Sequence, residues 1–207
     1  MAAANAMERE GATTGLAIVT LACCGACVAA YAYLALASPE AGAAFHARFG
    51  DLPWAAVRGG GWASLFTSTF VHVDLVALAF NVLVLSRLGA PFERTVGPAA
   101  CAAVYVAAAI LASLAELAAV GSTGIGISGV VYALFGMLWR ARGRDPRLDA
   151  ALPRPAVAVL LVVLFGGIAL HLLGGQYIGN AAHVAGLAAG AAVPPGWWVR
   201  PAPTPGS

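Results

Sequence analysis

Apolar residues fall in six long runs, over roughly 12–38, 63–88, 97–120, 126–139, 155–173 and 180–198, separated by Arg-rich or Gly/Pro-rich connectors. A helix crossing a hydrocarbon core of about 30 Å needs about 20 such residues. The pattern therefore predicts an all-α polytopic membrane protein with six transmembrane helices. Residues 12–198 form one membrane domain, between a short cytoplasmic N-terminus, 1–11, and a cytoplasmic tail, 199–207. The first run, 27 residues long and preceded by Glu8, Arg9 and Glu10, exceeds a signal-peptide core and reads as a retained span.

The fourth run breaks the rule. Only 14 to 16 residues separate the Gly-rich GSTGIG (121–126) from Arg140. At 1.5 Å per residue this helix cannot cross the core, so its outer part is expected to be non-helical backbone at membrane depth. Such backbone is tolerated only where protein buries it or a watery cavity receives it. The connector 39–62, with Pro39, Pro53 and Gly59-Gly60-Gly61, and the stretch 140–154, with five Arg and Pro146 and Pro153, read as loops.

Composition agrees with lipid as the main solvent: 61% of the 207 residues are hydrophobic and 10% charged, against about 25% charged in soluble domains. All basic residues are Arg, and the net charge of +2 supports no nucleic-acid partner. With the N-terminus inside, nine Arg fall inside and only Arg48 and Arg58 outside, a positive-inside bias that puts both termini in the cytoplasm. Trp197 and Trp198 then fit an inner aromatic belt. Cys23, Cys24, Cys27 and Cys101 all lie in apolar segments, and Cys24-Gly-Ala-Cys27 reads as packing, since a redox site needs a polar, partly exposed thiolate. No Cys/His/acid cluster has metal-ligand spacing, and no cofactor motif occurs.

Ser128 stands where the Gly-rich loop becomes helix, in Gly126-Ile127-Ser128-Gly129. A helix N-terminus offers free backbone N–H groups there, and a Ser hydroxyl attacks a carbonyl only with a base and oxyanion donors at hand. The soluble hydrolase elbow would have Gly at position 130, which is Val here. His183 supplies the base. Ser128 lies 11 residues above Trp139, and His183 lies 14 above Trp197. That is roughly 17 and 21 Å of helical rise, so the two share a level about 10 Å below the outer boundary. Ionisable residues within spans are functional candidates by default.

GISGVVYALFG (126–136) and NAAHVAGLAAG (180–190) resemble the two signature segments of rhomboid intramembrane serine proteases. FVHVDLVALAFN (70–81) and GAPFERTVG (89–97) resemble that family's second helix and its Glu-Arg-x-x-Gly end, and the Arg-Asp-Pro loop after span four is present. The resemblance implies a six-helix rhomboid-like bundle whose short fourth helix is entered from the Gly-rich loop. It also implies a Ser–His dyad without an acid, Ser128 and His183. Tyr132 matches the tyrosine that packs on the His, and Asn81 the oxyanion-hole asparagine, with Gly126 and Gly129 in support. Asn81 is level with Ser128 if span two continues to Arg94. Gly186 and Gly190 form a Gly-x-x-x-Gly that would let span six approach span four.

By the same resemblance, GGQYIG (174–179) is a cap over the site, span five the moving side of a gate, and the clients transmembrane proteins in the lipid bilayer. The setting expected is a bacterial or archaeal plasma membrane, with the site open to the outer face. Two departures stand out. Ala77 occupies the place of a family His four residues before the asparagine, and His72, which matches an earlier His, is expected too near the surface to replace it. The Trp-Arg pair of the second motif is absent, with Trp62 one residue out of register.

Two other functions fit the broad pattern. An inactive rhomboid-like protein that binds membrane clients would lack the Ser or His, and both are present. A small-solute transporter would have a second broken helix in the other half, and none is seen. Asp74, Glu116 and His171, near outer span ends, are expected to snorkel to the interface. The topology has a direct test: in a Cys-free background, engineered Cys within 39–62 should react with an impermeant reagent from outside, and those within 140–154 only after permeabilisation. The opposite pattern would invert the assigned orientation.

Overall fold

The structure, a computed structural model, describes residues 15–175 and 178–199. The segment 1–11, the residues after 199, with Arg200, and Gln176 and Tyr177 of the expected cap lie outside the described residues. Four helices are long and apolar enough to cross a membrane: α1 (Ile18–Leu36), α5 (Leu75–Val96), α6 (Pro98–Val120) and α9 (Arg154–Leu172). Between them lie α2 (Pro39–Phe49), α3 (Trp54–Arg58), α4 (Ser64–Thr67), α7 (Ser128–Arg140) and α8 (Pro146–Ala151), with α10 (Asn180–Ala192) after α9. Expected spans four and six are thus helices α7 and α10, of 13 residues each, which rise only about 20 Å. The chain is an all-α polytopic membrane protein.

Three expected boundaries are corrected. Span two does not run over 63–88. Its first part is α4 and a 3-10 turn, Ser68–Phe70, and its helix starts at Leu75 because Asp74 caps it, accepting from the Ala77 N–H at 2.7 Å. That helix continues through Arg94 to Val96 and stops at Gly97, whose φ of 86° ends it. Span six ends at Ala192 and not 198, because Pro194 and Pro195 cannot extend it; Pro195–Trp197 is a 3-10 turn. The helical rise reckoned from Trp197 to His183 therefore included residues that are not helical. Finally, 39–62 is not plain connector but holds α2 and α3, pinned by the Trp54 indole N–H, which donates to the Leu117 carbonyl at 3.0 Å.

The Gly-rich loop is pinned to the rest of the protein by hydrogen bonds. The Thr123 N–H donates to the Leu52 carbonyl at 3.0 Å and the Leu52 N–H to Thr123 Oγ1 at 3.0 Å. The Gly124 N–H donates to Asp51 Oδ1 at 2.8 Å, and the Gly126 N–H to the Ser68 carbonyl at 3.1 Å. On the opposite side, Arg87 donates to the Ala150 and Ala151 carbonyls and Arg142 to that of Leu152, so Arg side chains cap the end of α8. The Glu-Arg-x-x-Gly end of α5 also has a structural role. Glu93 is buried and accepts the Val19 and Thr20 N–H groups at 2.9 and 2.8 Å, capping α1, whose own N-cap, Ala17, has no side-chain acceptor.

Helix α7 is the hub: Gly129 to Leu138 are all buried, whereas α1 and α9 turn apolar side chains such as Leu21, Val28, Val162 and Phe165 outward, as lipid-facing helices do. Its most extensive contact is with α10. A Cβ on Gly186 would strike the Gly129 carbonyl oxygen, and one on Gly190 that of Ala133; one on Gly136 would strike the Leu187 carbonyl from the other side. The two backbones touch because these positions carry no side chain. Gly190→Ala should therefore destabilise the protein by at least about 1–3 kcal/mol, read as a lower melting temperature in detergent. Gly166→Ala on α9, where a Cβ meets nothing within 4 Å, should leave it unchanged.

Candidate active site

Ser128 is the first residue of α7, entered from Gly126, at φ 98°, and Ile127. Only glycine adopts that φ freely. The first intrahelical bond runs from the Val131 N–H to the Ile127 carbonyl, so the amides of Ser128, Gly129 and Val130 have no acceptor within the helix. His183 lies in the first turn of α10, and the close α7–α10 approach brings its Nε2 to 2.8 Å from Ser128 Oγ. His183 is buried and Ser128 partly buried.

Tyr132, one turn beyond Ser128, stacks on the imidazole with ring centroids 4.5 Å apart at 29°. Its hydroxyl donates to the Leu160 carbonyl at 2.8 Å, which ties the ring to α9. Among the described residues His183 Nδ1 has no hydrogen-bond partner. No acid binds it there, and the ring is held by stacking and by Ser128.

Ser128, His183, Tyr132, Asn81 and Gly126 line one cavity of about 690 Å³. Gly129 is not among its lining residues; it packs on Ala112 and Ala182, and its contribution is the fit of α7 against α6 and α10. The expectation for His72 is corrected. It is buried at the cavity wall, with Nε2 3.1 Å from Asn81 Nδ2 and Nδ1 3.2 Å from the Phe70 carbonyl. A carbonyl only accepts, so Nδ1 carries the proton and Nε2 accepts from the Asn81 amide. The second Asn81 N–H remains for another acceptor. Sequence depth put His72 too far out because it counted a continuous helix from 63, whereas the chain turns at 71–74 and folds His72 back over α5.

Glu116 is the second correction. It does not snorkel: it is 2% exposed, lines the same cavity, and accepts the Ala182 N–H at 2.7 Å. Asp74 is the N-cap residue of α5. Among the described residues no three His, Cys, Asp or Glu side chains group as a metal would need.

The chain matches the rhomboid domain over residues 59–199, more than half its length, and it belongs to the rhomboid family. It is similar to the rhomboid protease GlpG of Klebsiella pneumoniae, 36% identical over 128 residues, which is 62% of this chain and 46% of that protein. To that of Pectobacterium atrosepticum it is 34% identical over 125 residues, 60% of this chain and 45% of the relative. To that of Serratia proteamaculans it is 36% identical over 121 residues, 58% and 43%. The chain thus spans about half the length of the curated relatives it matches.

Tyr132→Phe keeps the ring stacked on His183 and removes only the hydrogen bond to Leu160. It should cost about 1 kcal/mol in unfolding free energy, whereas Tyr132→Ala, which also opens a cavity under the imidazole, should cost about 3 kcal/mol or more. Thermal denaturation in detergent compares the two.

Proposed function

We propose that this protein is an intramembrane serine endopeptidase that hydrolyses peptide bonds in or near transmembrane segments of other membrane proteins, through a Ser128–His183 dyad. The observation that carries the reading is the 2.8 Å contact between Ser128 Oγ and His183 Nε2 at the wall of a cavity within the bundle. His183 takes the hydroxyl proton as Ser128 Oγ attacks the scissile carbonyl, then returns it to the leaving amine. The acyl-enzyme is released by water, for which Asp51, Ser122 and Thr123 on the cavity wall provide a polar approach.

The tetrahedral oxyanion is held by the Ser128 backbone N–H, at the start of α7, and by the Asn81 amide, which His72 orients where Ala77 offers no donor. Gly126 supports the hole by keeping the loop free of a side chain beside His72 and Asn81. The client enters from the bilayer beside α9, and Ile178 and Gly179 line the cavity at the start of α10. Residues 12–198 act as one domain. The Arg distribution supports cytoplasmic termini and a site that opens to the outer face of a bacterial or archaeal plasma membrane.

Ser128→Ala and His183→Ala should each abolish cleavage of single-span substrates, and labelling by a fluorophosphonate, while leaving a folded, membrane-inserted protein. Asn81→Ala should lower the rate about 100 to 1,000-fold. Turnover above background in either dyad variant overturns the reading, and a wild type that neither cleaves nor labels would point to a client-binding protein.

A further inference from the structure

A second acid-bearing helix end lies against the dyad. Helix α10 begins after Gly179, at φ 70°, and this N-cap has no side chain with which to satisfy the first-turn amides. Glu116, near the C-terminal end of α6, reaches across to accept the Ala182 N–H at 2.7 Å, one residue before His183. Its carboxylate and the imidazole both flank Gly179: a Cβ there would stand 3.8 Å from Glu116 Oε1 and 4.0 Å from His183 Nε2. The acid is 2% exposed and walled in by two glycines, since a Cβ on Gly124 would come to 3.0 Å from Glu116 Cγ.

We propose that Glu116 is a positioning residue for the dyad: it anchors the first turn of α10 and sets a negative charge near the imidazolium that forms when His183 takes the Ser128 proton. This rests on the Ser128–His183 reading. Nothing among the described residues binds His183 Nδ1, and Glu116 acts on the base through the helix and through space. The helix N-terminus supplies the partial positive charge that a buried anion needs at this depth. The other titratable side chains lining the cavity are Tyr132, stacked on the ring, and Asp51, His72 and Asp74.

Glu116→Gln keeps an oxygen acceptor for the Ala182 N–H and removes the charge; Glu116→Ala removes both. The experiment measures kcat and KM on a single-span substrate and the rate of fluorophosphonate labelling, each per titrated active site, so that misfolded protein does not count. Expected is a graded fall in kcat and labelling rate, about tenfold for Gln and about a hundredfold for Ala, with KM little changed. Wild-type kcat per site in the Gln variant overturns the proposal, as does a loss in both variants that disappears once values are referred to titrated sites. Ser128→Ala, run alongside, separates the two claims: if it still labels, the dyad reading fails; if it is inert while Glu116→Gln matches wild type, only the Glu116 proposal fails.

Discussion

Everything at the centre of this bundle depends on how closely the backbones of α7 and α10 approach. Gly186, Gly190 and Gly136 stand where any side chain would meet a facing carbonyl or amide. In lipid, helices gain little from burying apolar surface against one another, because the solvent is equally apolar. Association comes from packing, and packing is best where no side chain intervenes. The contact brings Ser128 Oγ and His183 Nε2 to hydrogen-bond distance from helices far apart in sequence. Both helices have only 13 residues, and each begins inside the protein, where the chain at its start must be satisfied by other parts of the molecule.

That requirement explains much of the remaining polar structure. The loop before α7 is satisfied by Leu52, Asp51 and Ser68, so the segment 39–74 is a scaffold for backbone that would otherwise be orphaned at depth. Among the helices that start without a side-chain cap of their own are α1, at Ala17, and α10, at Gly179. In both cases a buried glutamate from a neighbouring helix accepts first-turn amides, Glu93 for α1 and Glu116 for α10. The same physical solution holds a peripheral helix in place at one end of the bundle and, at the other, the helix that carries His183.

The polar groups of the cavity divide between the two sides of Ser128. Tyr132 and Glu116 act on the His183 side, one by stacking on the ring and one through the start of α10. His72 and Asn81 face it from the α5 side, joined by a hydrogen bond whose direction follows from the Phe70 carbonyl at the other imidazole nitrogen.

Taken alone, the sequence determined the membrane class, the existence of most spans, the shortness of the fourth and the identity of Ser128, His183 and the helix-contact glycines as candidates, while Asn81 and Tyr132 came from the family resemblance. These are local properties: run length, Arg placement and motif spacing can be read without knowing what packs on what. Boundaries failed where a cap or a proline pair outweighed hydrophobicity, at Asp74 and at Pro194-Pro195. Only the tertiary structure decided that His72 folds back onto Asn81 and that Glu116 caps α10 in place of snorkelling. Both depend on contacts between residues distant along the chain or separated by a turn. Hydropathy places a residue along a helix axis, but which side chain satisfies a buried amide is decided by where the neighbouring helices come to rest.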